Sequence, residues 1–170
     1  DIFRRAAPLH VVQPPYNIFE RQIEQDVLPY VHKHTLKTLT YGALCRGLLT
    51  GRMKPDTQFT GDDLRKVDPK FQQPRYGQYL DAVAQLERFA RERFKKSVLA
   101  LAVRWLLDQP DVSIALWGAR RPDQLDPVDE AMGWTIDDMS RKAIDQIVHK
   151  TIKDPVGPEF MAPPSREAVT

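Results

Sequence analysis

Tyr41 is followed by a loop of small residues that carries Gly42, Arg46, Gly47, Gly51 and Arg52. Leu36, Thr38, Leu39 and Thr40 lead into it with strand-favouring side chains, so the loop leaves a strand's end. A flat ring joined to a phosphate needs an aromatic face to lie on, backbone amides for its oxygens and cations for its charge. The stretch from Tyr41 to Arg52 supplies all three residue types. A βα loop with incidental glycines has the same local sequence, because two glycines are a weak signature by themselves. Two other stretches resemble it in placement. Gln13 ends the apolar run Leu9 to Gln13, which Pro14-Pro15 stops because neither ring nitrogen can donate to a sheet. Gly118-Ala119-Arg120-Arg121 ends the apolar run Val112 to Trp117.

The elements that must position these residues alternate between strand and helix. Asp1 to Ala7 reads as the end of a helix stopped by Pro8, and a chain that opens in mid-helix implies a preceding segment. Ile18 to His32 has helical spacing at Ile23, Val27, Leu28 and Val31, with a kink or break at Pro29. Lys54 to Gly77 is long, polar and aperiodic, a functional loop or a solvated surface excursion. Gln78 to Phe94 is amphipathic, with Leu80, Val83, Ala84 and Ala90 on its apolar face. Ser97 caps a helix from Val98 to Asp108 that is apolar nearly all round and so must be buried. The strand Val112 to Trp117 has the unbroken apolar character of a sheet covered on both faces. A short helix from Pro122 to Met132 follows, with Pro127 inside it. Thr135 then caps a final helix whose buried stripe is Ile136, Met139, Ala143, Ile144, Ile147 and Val148. This alternation makes a parallel α/β sheet, in which ligands gather at the strands' carboxyl ends. Gln13, Tyr41 with its loop, and Gly118 to Arg121 then share one rim.

Composition excludes several classes. The net charge of +2 is small and the cations are scattered among acids, which argues against nucleic acid. No apolar run reaches the roughly 20 residues of a membrane span, and the first residues lack a secretory core, so the expected site is the cytoplasm, away from membranes. The single cysteine, Cys45, rules out an internal disulfide and reads as a small buried residue. His10, His32, His34 and His149 have no metal-ligand spacing, and no metal site is expected.

The ordered series QPPYN, VLPYVHKH, TYGALCRGLLTGRM and ALAVRWLLDQPDVSIALWGARRPDQL resembles the C-terminal half of the aldo-keto reductases. The likeness runs over about residues 1 to 150 and is closest to the bacterial and potassium-channel-β-subunit-like branch. It implies an α/β fold, a partial (β/α)8 TIM barrel with three parallel strands, numbers six to eight, and outer helices. The expected division is 1–153 for the half-barrel and 154–170 for a Pro-rich tail. The implied activity is NAD(P)H-dependent reduction of aldehydes or ketones. Gln13 would bond the nicotinamide carboxamide and Tyr41 would stack on its ring. Gly42, Ala43, Leu44, Arg46, Gly47 and Arg52 would cradle the pyrophosphate. Gly118, Ala119, Arg120 and Gln124 would hold the adenosine end, with Arg120 or Arg121 on a 2′-phosphate, which favours NADPH (the NADP form) over NAD.

The sequence departs from the family in two places. Pro127 and Val128 stand where many relatives have Glu-Asn against the adenosine. The family's catalytic Asp, Tyr, Lys and His have no counterpart here, so no residue of this chain is assigned a catalytic role. The resemblance thus implies a fragment that is inactive alone, with an N-terminal half-barrel or a second copy as partner and a small carbonyl compound as substrate. The alternative is a non-catalytic nucleotide-binding or interaction module derived from a truncated reductase.

Overall fold

The computed structural model describes residues 2–157. The greater part of the expected tail, 158–170, and Asp1 lie outside them. A short helix α1 (Ile2–Ala6) precedes strand β1 (Val11–Val12), helix α2 (Val27–His34) and strand β2 (Lys37–Thr40). Helices α3 (Arg75–Phe94) and α4 (Val98–Leu107) come next, then strand β3 (Ile114–Ala115) and helix α5 (Asp138–Thr151). Six short 3₁₀ segments lie in the described connections, and two of them, Pro69–Phe71 and Pro122–Gln124, open on a proline.

The three strands are parallel in the order β1-β2-β3, with Val12 level with Thr38 and Thr40 level with Ala115. Because they are parallel, all three carboxyl ends lie along one edge. An isolated bridge continues the first ladder to Pro15 and Tyr41, and the Leu116 amide continues the second by donating to the Thr40 carbonyl at 2.7 Å. The strands are shorter than the apolar runs that encode them. Pro14 and Pro15 truncate β1, as expected from their missing donors.

Helix α4 lies against the core, and its apolar residues from Val98 to Leu106 are buried apart from the half-buried Arg104. The Ser97 hydroxyl accepts from the Ala100 amide, as its capping role requires. Trp105 packs on the ring of Tyr16 at 5.2 Å between centroids. On the sheet, Thr38 and Thr40 are fully buried and their hydroxyls are satisfied: Thr38 donates to the Asp111 carbonyl ahead of β3 and Thr40 to that of Ile114 within it.

Several expectations change. Ile18 to His32 is not one helix: Asn17 folds the chain into a turn by accepting from the Phe19 and Glu20 amides. A new helix starts only after Asp26, whose carboxylate accepts from the Val27 amide. Pro29 is therefore the third residue of α2, in the first turn, where no intrahelical partner awaits an N–H. The final helix is capped by Asp137, whose carboxylate accepts from the Ser140 amide, and not by Thr135. That shift turns Met139 outward, 76% exposed. Ala84 is exposed on α3, whose buried face is Tyr76, Tyr79, Ala82, Val83, Leu86 and Ala90. Pro122 to Met132 forms two 3₁₀ segments, Pro122–Gln124 and Asp126–Ala131, since Pro127 lacks a helical donor. Ile114 is 49% exposed, so β3 is not covered on both faces by the described residues.

The stretch from Lys54 to Gly77 is no solvated excursion. Phe71, Tyr76 and the fully buried Asp68 and Lys70 seat it in the protein, and Phe59 packs edge-on to Phe71 at 5.3 Å. Its last residues begin α3 three positions earlier than the periodicity implies.

The place of Pro29 gives a direct test. Pro29→Ala is expected to change the unfolding free energy by less than about 1 kcal/mol in urea denaturation, because a first-turn proline costs a helix little. A gain near 3 kcal/mol would mean that the ring interrupts the helix.

Candidate functional site

The rim is built at the edge where β1, β2 and β3 end. Gln13 stands exposed directly after β1. Tyr41 is held to the backbone that follows β1: its amide donates to the Pro14 carbonyl and its carbonyl accepts from the Tyr16 amide, each at 3.0 Å. Its backbone is thus fixed while the residue stays 36% exposed, an aromatic ring on a rigid base. Gly118, Ala119 and Arg120 follow the end of β3 and are exposed. The strand order puts Tyr41 in the middle, with Gln13 on one side and Gly118 on the other.

The loop after Tyr41 turns through left-handed backbone at Gly42, Cys45, Arg46, Gly47 and Gly51. Ala43 is buried and Leu44 packs against the core. The Leu44 carbonyl accepts from both the Gly47 and Leu49 amides, which closes the loop into a tight knot. Glycine is required at position 47, where φ is +92° and a Cβ would stand 3.0 Å from the Met53 methyl. The same Cβ would lie 3.9 Å from an Arg65 nitrogen, which places that guanidinium at the loop's mouth.

Underneath the loop lies a chain of buried charges. The Arg46 guanidinium bonds Asp68 at 2.6 Å, and the Lys70 ammonium lies 3.2 Å from Asp68 and 2.8 Å from Glu20. Asn17 closes the chain by donating to Glu20 at 2.7 Å and to the Gly42 carbonyl at 3.0 Å. Burial opposes the charge on Lys70, but Glu20, with Asp68, overcomes it and holds its pKa above the ordinary lysine value. Cys45 sits within this buried ground, and burial pushes its thiol well above the usual range. It is a packed residue, not a nucleophile.

A second group of charges rings the mouth. Arg65 chelates Asp63 with its Nε and Nη2 while its guanidinium lies 4.6 Å from the Phe59 ring centroid. Arg121 pairs with Asp123 through two bonds of 3.0 Å. Hydrogen bonds from Arg65 hold the Asp63 carboxyl down to about 2, with a smaller pull from Arg120. Asp123 is likewise held low, first by Arg121 and lastly by Arg52. Gln124 braces the β3 loop, its side-chain carbonyl accepting from the amides of Arg120 and Arg121.

An aromatic ring, a glycine-bearing loop and four arginines thus stand on one rim of a parallel sheet. A model of the Aldo/keto reductase family matches residues 4–149 of the sequence. The chain belongs to that family. It is 58% identical over 169 residues to aldo-keto reductase YhdN of Bacillus subtilis, covering 99% of this chain and 51% of that protein. It is 30% identical over 117 residues to the NADH-specific methylglyoxal reductase of Escherichia coli, over 69% of this chain and 35% of the relative. Among solved structures, the glycerol dehydrogenase of Gluconobacter oxydans superposes with a TM-score of 0.85 at 54% identity, over 95% of this chain and 49% of that one. The chain therefore spans about half the length of the Bacillus and Gluconobacter relatives and 35% of the Escherichia one. Within this aldo-keto reductase family, its three parallel strands and outer helices make a partial (β/α)8 barrel.

The twelve expected cofactor residues follow the carboxyl ends of the three strands, but Ala43 is buried and Leu44 packs on the core, and two more have internal partners. Arg46 binds Asp68, and Gln124 braces the backbone. Arg65, Asp68, Lys70 and Glu20 were not among the expected residues. No local signal marks this cluster, because the charges of the 54–77 stretch look solvated in sequence. No group of three or more possible metal ligands occurs among the described residues.

Two outcomes follow. Asp68→Ala, which strips both Arg46 and Lys70 of a buried counter-charge, is expected to cost about 3 to 5 kcal/mol in urea denaturation. Asp63 has a depressed folded-state pKa, so its contribution is present above the ordinary carboxylate value and is lost as pH falls. A carboxyl NMR titration is expected to give a midpoint of about 2 for Asp63, rising toward about 3.9 in Arg65→Ala.

Proposed function

We propose that this chain is the C-terminal, cofactor-binding half of an NAD(P)H-dependent aldo-keto reductase that reduces aldehydes or ketones to alcohols in the cytoplasm. One observation carries the reading: Tyr41 follows the middle of three adjacent parallel strands and is fixed by two backbone bonds to the Pro14–Tyr16 segment, beside Gln13. In that arrangement Tyr41 offers its ring to the nicotinamide and Gln13 reaches the carboxamide. The loop from Gly42 to Arg52 faces the pyrophosphate, with charge supplied by Arg52 and by Arg65 beside Gly47. Arg46 acts from below, through Asp68, to hold the loop's left-handed shape. Gly118, Ala119 and Arg120 lie along the adenosine, and Arg120 and Arg121 favour the 2′-phosphate of NADPH.

The residues would bind and orient the dinucleotide, which when bound supplies the hydride. The proton for the carbonyl oxygen needs an acid that this chain lacks. The N-terminal half of the same protein, or failing that a second copy, would bring that acid and cover the exposed sheet residues Val11 and Ile114. NADPH added to the chain is expected to quench protein fluorescence and raise the melting temperature. Tyr41→Ala is expected to weaken NADPH by roughly tenfold, the order of a lost aromatic stack. No carbonyl-dependent NADPH oxidation is expected from the chain alone. Turnover by a homogeneous preparation of this chain would overturn the assignment of the acid to another segment.

A further inference from the structure

The ring of charges at the mouth contains two carboxylates where a polyanion is to bind. Asp63 has a structural duty, since it also caps the following 3₁₀ turn by accepting from the Arg65 amide. Asp123 has no such duty. Its carboxylate grips Arg121 in a two-point pair on the exposed surface, 64% and 52% of the two side chains remaining open. The loop itself is shaped by Pro122 at the start of its turn and by Gln124, which accepts from the amides of Arg120 and Arg121. An exposed pair of this kind contributes little to stability. What Asp123 does do is place a negative charge on Arg121, one of the cations available to the adenosine end.

We propose that Asp123 is a specificity-determining residue that restrains the preference for NADPH over NADH, by occupying Arg121 and repelling a 2′-phosphate. The proposal rests on the cofactor reading above. The two dinucleotides differ only at the ribose 2′ position, a hydroxyl in one and a phosphate dianion in the other. Arg121 can fork onto that phosphate only by leaving Asp123, and the carboxylate then stands unpaired beside the dianion. A 2′-hydroxyl meets neither penalty, and can donate to the carboxylate. Because the pair is exposed, the exchange is fast and sensitive to salt. One residue thus sets how evenly the site accepts the two carriers, without touching the ring that reacts.

The test is a fluorescence titration with NADPH and NADH, at low and at physiological ionic strength. The proteins are the wild type, Asp123→Asn, Asp123→Ser, Arg121→Ala and the double variant Asp123→Asn/Arg121→Ala. Asp123→Asn and Asp123→Ser are expected to tighten NADPH by about five- to tenfold and to leave NADH within about twofold. The gain should shrink at the higher salt and vanish in the Arg121→Ala background. An unchanged NADPH-to-NADH ratio, an equal change for both dinucleotides, or a gain that survives the loss of Arg121 overturns the proposal. Failure of the wild type to bind either dinucleotide is a different result, and overturns the cofactor reading together with this inference.

Discussion

The candidate site depends on the buried ion chain from Glu20 through Lys70 and Asp68 to Arg46. Three of these four residues are nearly or wholly removed from solvent. Such charges are tolerated in a protein interior only when each has a partner, and they contribute less to net stability than to holding one arrangement. Here the arrangement joins three stretches distant in sequence: the turn after β1, the loop after β2 and the connection into α3. The Lys70 ammonium also donates to the Gly157 carbonyl, which ties the end of the described chain to the same point. With Arg46 held from below, the loop can keep residues 45 to 47 in left-handed backbone, two of them without glycine's freedom. A non-glycine residue there is strained and needs such support.

Above that anchor the parallel sheet does the rest. Parallel strands bring their carboxyl ends to one edge, and β2 lies in the middle of this one. The residue that follows β2 is therefore central to the rim whatever its loops do. Helix α4 lies against β3 on one side of the sheet, and α3 packs on α4 and α5 in the main apolar core. The opposite surface retains Val11 and Ile114 in contact with solvent. A barrel needs about 250 residues and eight strands to close, which matches the half-length span of this chain on its relatives.

The strand-helix alternation and the rim were legible in the sequence because they rest on local signals. Pro14-Pro15, Gly42 and Gly118 mark strand ends wherever they occur, and Ser97 caps α4 through its own hydroxyl. Helix boundaries were less legible where two caps competed: Asp137 displaces Thr135 by two positions, and Asp26 restarts a helix that Asn17 had turned aside. The buried chain was not legible at all. Asp68 and Lys70 sit in a polar, proline-rich stretch whose composition is that of a solvated loop, and only their distant partners Arg46 and Glu20 make burial affordable. The same hidden pairing is why Arg46 reads as a phosphate contact in sequence and serves as a loop anchor in the fold.

One dinucleotide across the ends of all three strands, as proposed, would shield three segments at once. Hydrogen exchange measured peptide by peptide, with and without saturating NADPH, tests it most directly. Slowed exchange is expected at 11–17, 42–53 and 117–125 together, with α2 and the outer face of α5 unchanged. Protection confined to one of those segments, or centred on α2 and α5, would contradict it.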